Sequence, residues 1–257
     1  MPSLSSTTTR ARKALAAGRI VAPLWLRGPR VVPSRDDLSL LLEPWYHDFS
    51  SLGLRTPQRG GIFPGNQAAK SPVIRRLIDE ALARCRDAGK ATGFLELFCA
   101  DGYYGVYAAR NGAGWVKGAD LDAREVAKAN LVARLLGVTD AEFAVADVFE
   151  WGERAPAALC AGGLYHLSDP ERLLRQLRDQ VDVALVVQTV YHQGIDDPDY
   201  FEAPAPGWHW GCRFSYRYLL SMAERAGWRV VRDERNELEG NDRVEDRGSA
   251  YLLCVPA

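Results

Sequence analysis

The sequence predicts an α/β fold, doubly wound around a mostly parallel seven-stranded sheet with an antiparallel last strand, and preceded by an N-terminal extension. Three observations lead there. From Ala91 onward, short apolar runs alternate with amphipathic segments, the pattern of strands and helices in turn. One run, residues 183–189, is almost wholly apolar, as strands buried on both faces are. The two closing runs, 229–236 and 249–255, follow one another with no helix between them, which calls for an antiparallel hairpin.

Taken in order, the chain begins with a basic arm. Between Met1 and Arg35 stand Arg10, Arg12, Lys13, Arg19, Arg27, Arg30 and Arg35 with no acid, although the whole chain has a net charge of −1. Such an arm admits three readings: contact with nucleic acid or lipid headgroups, an Arg- and Ser-rich transit peptide, or a solvated extension. Residues 10–17 and 38–42 suit short helices, and Pro23, Pro29 and Pro33 break the stretch between them. The segment "EPWYHDFSSLGLRTPQRGGIFPGNQ" is rich in aromatics, glycine and proline and reads as an irregular cover. Ser71 then stands as an N-cap with Pro72 at the first helical position. Val73, Ile74, Leu77, Ile78, Ala81, Leu82 and Cys85 form one apolar stripe ending before Gly89. Beyond it the strands are expected at 94–98, 115–119, 142–146, 158–161 and 183–189, and the helices at 104–110, 124–136, 170–180 and 216–226. Residues 1–70 are thus expected to form the extension and cover. Residues 71–257 form the main domain, with a lid-like insertion at 190–214.

Several function classes are excluded. No apolar stretch approaches the ~18 residues of a membrane span. Five scattered cysteines with no CxxC pair suggest neither a zinc cage nor a disulfide framework, and fit a reducing compartment such as the cytoplasm. The four histidines have no metal-ligand spacing.

In a sheet of this kind ligands bind at the carboxyl ends of the strands. "LELFCADGYYG" raises the first question there: an acid, Glu96, closes an apolar run, and Phe98, Cys99, Ala100, Asp101 and Gly102 follow as a loop with little bulk. A nucleotide-like cofactor, a phosphate or a tight corner would each account for it. The next strand ends at Asp120–Leu121, at the spacing of a carboxylate that accepts both hydroxyls of a ribose. The third ends at Asp147–Val148, where an adenine amine can be received. Acid, small-residue turn, acid, acid at successive strand ends describes an adenosine site without a pyrophosphate.

These residues resemble the class I S-adenosylmethionine-dependent methyltransferases, a Rossmann-like fold, from about Gly93 to the C-terminus. "ELFCADGYYG" is similar to the family's first motif, "GADLD" to its second-strand acid, "ADVFEW" to its adenine-binding segment and "AGGLYHLSDP" to the segment after the fourth strand. More narrowly, "GGLYHLSDPERLLRQLRDQ" and "PWYHDF" resemble the subfamily that includes the tRNA wobble-uridine carboxymethyltransferases. Phe98 and Ala100 stand where the family usually has glycines, which implies a narrowed pocket. The carboxymethyltransferases hold an extra cofactor carboxylate with a Lys soon after the Pro-Trp and a Tyr in the LYH segment. Tyr165 matches that Tyr, but Tyr46-His47-Asp48 follows Trp45 with no Lys, so the resemblance implies plain methyl transfer.

Methyl transfer needs proximity, alignment and, for a neutral nucleophile, a base. Tyr165 and His166 after the fourth strand and Tyr191 and His192 after the fifth are the candidates. Trp208, His209 and Trp210 in the insertion can cover an acceptor, and Arg243 and Arg247 near the last hairpin can meet an anionic one. The leading expectation is an O- or N-methyltransferase acting on a polar small molecule or sugar with S-adenosyl-L-methionine as cofactor. tRNA modification and a cofactor-binding protein without turnover are the alternatives.

Overall fold

The structure is a computed structural model that describes residues 33–239 and 242–257. The basic arm and the helix expected at 10–17 lie outside the described residues. Helix α1 (Arg35–Leu41) opens on a reciprocal cap, in which Ser34 Oγ accepts the Asp37 N–H and the Asp37 carboxylate accepts the Ser34 N–H. Irregular chain follows to Ile62, and α2 (Phe63–Asp87) leads into the sheet. The order is then β1 (Gly93–Leu97), α3 (Tyr103–Arg110), β2 (Trp115–Asp120), α4 (Ala123–Leu135), β3 (Ala141–Val145) and β4 (Ala155–Ala161). It continues with α5 (Pro170–Gln180), β5 (Val181–Tyr191), the short β6 (Phe201–Glu202) and β7 (Arg213–Phe214), α6 (Tyr216–Arg225), β8 (Trp228–Glu237) and β9 (Gly248–Pro256).

Seven strands form one sheet in the order β3-β2-β1-β4-β5-β9-β8. The first five are mutually parallel, and β9 runs antiparallel to both its neighbours. Alternation along each strand divides the core. Phe94, Val116, Leu159, Val186 and Leu253 face α2, α3 and α4, whereas Leu95, Leu97, Leu185 and Leu252 face α5 and α6. On the second face Trp228 is buried and donates its indole N–H to the Leu174 carbonyl at 2.9 Å. Helix starts follow local chemistry: Asp122 caps α4, Asp169 with Pro170 opens α5, and Ser215 caps α6. Among the described residues no helix is long and apolar enough to cross a membrane.

Two expectations need correction. Ser71 is not an N-cap, because α2 begins eight residues earlier with Pro64 in its first turn, and Pro72 lies inside it. The hydrophobic stripe misled because the first two turns of α2 are polar. Gln67 accepts the Asp48 N–H and donates to the Asp48 carbonyl, so tertiary bonds to the cover replace apolar packing there. Ser71 is buried with its hydroxyl 3.1 Å from that of Tyr104. The stretch 190–214 is also less irregular than expected, since β5 runs on to Tyr191 and β6 pairs with β7.

Pro72 has no N–H to offer the preceding turn, a defect inside a long helix. Pro72→Ala is therefore expected to stabilise the protein by about 2 kcal/mol, the interior-proline cost less the entropy returned to the unfolded chain. Urea unfolding of the two proteins measures it, and an unchanged or lower midpoint would contradict the helical assignment through this position.

Candidate active site

The chain reverses its direction of winding between β1 and β4, so the loops that follow these strands diverge and leave a crevice. A cavity of about 440 Å³ opens there. Of the residues expected to hold a cofactor, Glu96, Phe98, Cys99, Ala100, Asp120, Leu121, Asp147 and Val148 line it. Asp101 and Gly102 do not.

Asp101 serves the cover instead. Its carboxylate is fully buried, with one oxygen 2.6 Å from His47 Nδ1 and the other accepting the His47 N–H at 2.7 Å. Gly102 has φ 75°, and a Cβ there would stand 2.7 Å from Ala129 and 2.9 Å from Phe143. It is a glycine for backbone conformation and helix–sheet packing, not for ligand approach.

Phe98 and Ala100 both adopt left-handed backbone, with φ 56° and 45°. These are conformations in which glycine is at ease and a side chain is strained, and they flank the loop that approaches the cavity. The Phe98 ring fits because of Gly163 across the crevice, where a Cβ would lie 1.9 Å from the ring. Asp120 accepts the Ala100 N–H at 2.9 Å on one oxygen and the Asp122 N–H at 2.9 Å on the other. Each oxygen keeps further acceptor capacity. Leu121 beside it is 71% exposed, an apolar wall at the mouth of the cavity.

Glu96 is buried, accepts the Gly105 N–H at 2.8 Å, and would meet a Cβ on Gly105 at 2.5 Å. Burial, with Asp101 and Asp120 nearby, holds its pKa well above the ordinary carboxyl range.

A second cavity, of about 500 Å³, adjoins the first. Tyr165, His166, Tyr191, His192, Trp208 and Trp210 line it; His209 and Arg247 do not, while Arg243 does. His166 lines both cavities. Its ring stacks on Trp210 at 5.1 Å and lies 4.1 Å from that of Tyr165. Desolvation by these walls lowers its pKa below the ordinary imidazole value, with Asp120 opposing. It is therefore a neutral, proton-accepting imidazole at neutral pH. His192 differs, because its Nδ1 accepts the Gly194 N–H at 3.1 Å. A neutral His192 then carries its proton on Nε2 and is a donor, which argues against it as a base. Burial pushes the Tyr165 hydroxyl well above its ordinary pKa, so it too remains protonated.

The Trp208–Trp210 segment is pinned to the turn that carries His166. Cys212 donates its N–H to the Tyr165 carbonyl at 2.9 Å, and a Cβ on Gly211 would lie 2.5 Å from that same oxygen. Both tryptophans remain about half exposed, Trp208 at 52% and Trp210 at 48%. They touch edge to face at 5.1 Å.

Sequence reasoning missed Tyr46, His47, Lys70 and Gln188, which also line the first cavity. The signal for Gln188 was present, as a polar residue in an otherwise apolar strand. Lys70 had none, being one charge in the polar start of α2. Among the described residues no group of three or more His, Cys, Asp or Glu side chains could hold a metal.

The Glu96 shift fixes the sign of a pH effect. A carboxyl whose folded pKa is raised binds more protons in the native state, so its contribution to stability falls as pH rises above about 4.5 towards the folded value. Glu96→Gln keeps an acceptor for Gly105 and removes the titration. The stability difference, variant minus wild type, should grow from pH 5 towards neutrality; a difference independent of pH in thermal unfolding would contradict the shift.

No protein-family model and no curated protein matches the sequence. Solved structures do resemble it. The N-terminal domain of EvdMO1, crystallised in the presence of SAH and D-fucose, superposes with a TM-score of 0.60 at 22% identity, over 87% of this chain and 94% of that one. Magnesium protoporphyrin IX methyltransferase from Synechocystis PCC 6803, with bound SAH, gives 0.54 at 16% identity over 76% and 85%. The [4+2]-cyclase SpnF gives 0.57 at 17% identity over 93% and 92%. With its antiparallel β9 between β5 and β8, the chain has the Rossmann-like fold of the class I S-adenosylmethionine-dependent methyltransferases.

Proposed function

We propose that this protein is a methyltransferase that uses S-adenosyl-L-methionine and acts on an oxygen or nitrogen of a polar small molecule or sugar. One observation carries the reading: among the described residues His166, a neutral imidazole, is the side chain that lines both the acid-marked crevice and the aromatic cavity beside it. The first cavity fits the donor. Asp120 offers acceptor oxygens for ribose hydroxyls, Asp147 and Val148 flank a place for adenine, and Leu121 supplies an apolar wall. When bound, the cofactor supplies an electrophilic methyl group.

The chain's own residues do the rest. Trp208, Trp210 and Tyr191 wall the acceptor and exclude water, and Nε2–H of His192 is a donor that can orient an acceptor hydroxyl. His166 accepts the proton that the nucleophile loses. A walled cavity of this volume suits a small molecule better than a polynucleotide. That supports a metabolite acceptor over tRNA and, with no Lys after Trp45, methyl over carboxymethyl transfer. Incubation with labelled methyl donor and cell extract, fractionated into RNA and small molecules, decides among the readings. Label in a small molecule supports the proposal, label in RNA favours tRNA modification, and none anywhere favours a binding protein without turnover.

Asp120→Ala should weaken S-adenosylmethionine binding by about tenfold or more, since each hydrogen bond to a charged acceptor is worth about 1.5–3 kcal/mol. Calorimetry with unchanged affinity would remove Asp120 from the ribose site. In the pH–rate profile, turnover of the wild type should fall on the acid side as His166 becomes protonated. His166→Ala should lose that limb and about 10²–10⁴ in rate, with cofactor affinity retained; a profile unaltered in shape would leave alignment alone as the mechanism.

A further inference from the structure

The second cavity contains an acceptor oxygen that the mechanism above does not use. Asn66 lines it from the first turns of α2, and its side-chain Oδ1 is buried with no donor reaching it among the described residues. Such an atom costs free energy in the folded chain unless a ligand completes it. The Asn66 N–H bonds to the Ile62 carbonyl at 2.9 Å, which sets Ile62, 41% exposed, on the same helix face and in the same cavity. The charges of the cavity are already matched. Its arginines and aspartates are Arg213, Arg243, Asp242 and Asp246, whose formal charges cancel. Asp246 lies 2.5 Å from Arg213 and 3.9 Å from Arg243, and Arg243 also donates to the Pro206 carbonyl at 2.8 Å. An anionic acceptor has to disrupt these bonds to be neutralised. The apolar wall has a definite shape. Trp208 and Trp210, each about half exposed, meet at 63°, so their rings make a corner and not a slot. A flat arene stacks on one of them only, whereas a saturated ring turns C–H bonds towards both, each drawn to the negative face of an indole.

Resting on the methyltransferase reading above, we propose that the acceptor is a neutral, hydroxylated saturated ring of the hexopyranose class, and that Asn66 selects it. Oδ1 of Asn66 accepts from a ring hydroxyl, while the C–H face of the ring lies in the Trp208–Trp210 corner. Asn66 is thus a specificity residue that takes up no proton in the reaction. Rings without a hydroxyl at that place leave Oδ1 buried and unpartnered, and anionic ones compete with Asp246 for its arginines.

Saturation-transfer NMR on the full chain, with S-adenosylhomocysteine bound and its affinity measured first by calorimetry, tests this. The probes are the methyl β-glycosides of glucose, galactose and mannose, with glucose 6-phosphate as the anionic comparison and catechol as the flat one. At least one glycoside should bind, and more tightly than either comparison. Asn66→Leu should weaken that glycoside by about three- to tenfold, the usual worth of a neutral hydrogen bond. Asn66→Asp, which keeps an acceptor at the same place, should retain most of the affinity, and Trp208→Ala should lose it. S-adenosylhomocysteine affinity should be unchanged in all three variants, which separates a lost contact from a disturbed fold. The proposal is overturned if no glycoside binds while S-adenosylhomocysteine does, or if glucose 6-phosphate or catechol binds more tightly. It is equally overturned if Asn66→Leu binds the glycoside as the wild type does, or weakens S-adenosylhomocysteine to the same degree. A wild type that does not bind S-adenosylhomocysteine would instead overturn the cofactor reading itself.

Discussion

The contact between His47 and Asp101 is the constraint on which the site depends. It joins to the loop after β1 a stretch of chain whose own ordered backbone is one short 3-10 turn, Ser50–Leu52, and a Trp45–Gln58 bridge. Both oxygens of a fully buried carboxylate are satisfied by one residue, through its backbone N–H and its ring nitrogen. An unpartnered carboxylate at that depth would be severely destabilising, so the loop and the cover are ordered together or not at all. Rings complete the junction: His47 stacks on Tyr103 at 4.7 Å, and Phe49 meets Tyr103 edge to face at 5.1 Å. Around it, Trp45 and Leu54 are buried, and Glu125 bridges Arg59 to Lys128. The cover is therefore part of the cavity wall, and Tyr46 and His47 line it.

Much of this was legible in sequence wherever a local rule and the tertiary structure agree. The strand–helix alternation, the buried β5 and the closing hairpin follow from periodicity alone, and Asp120 and Asp147 follow from position at strand ends. The failures share a cause. Polar residues on the first turns of α2, Asp101 in the loop and Lys70 in the cavity take their roles from partners dozens of residues away. No spacing encodes that. The "AD" in "FCADGYYG" follows residues that line the cavity, yet its carboxylate is taken up by a histidine that the cover brings to it. Likewise, two histidines that look equivalent in sequence are separated by one backbone bond, from Gly194 to His192.

The two cavities differ in what lines them. One is lined by acids and a loop in strained backbone, the other by exposed aromatic faces, and a single turn after β4 supplies the wall between them. The Cys212 N–H donates to the Tyr165 carbonyl, so the tryptophan segment is tied to the turn that carries His166, and the wall of the second cavity is set by a bond to the wall of the first.

Phe98 and Gly163 share one volume across the crevice. The ring at position 98 occupies the space that any side chain at 163 would need. A residue larger than glycine at 163 therefore requires that the ring move or be lost, so the two positions are coupled and a change at 163 is felt first in the backbone of the loop after β1, where Phe98 already holds φ 56°.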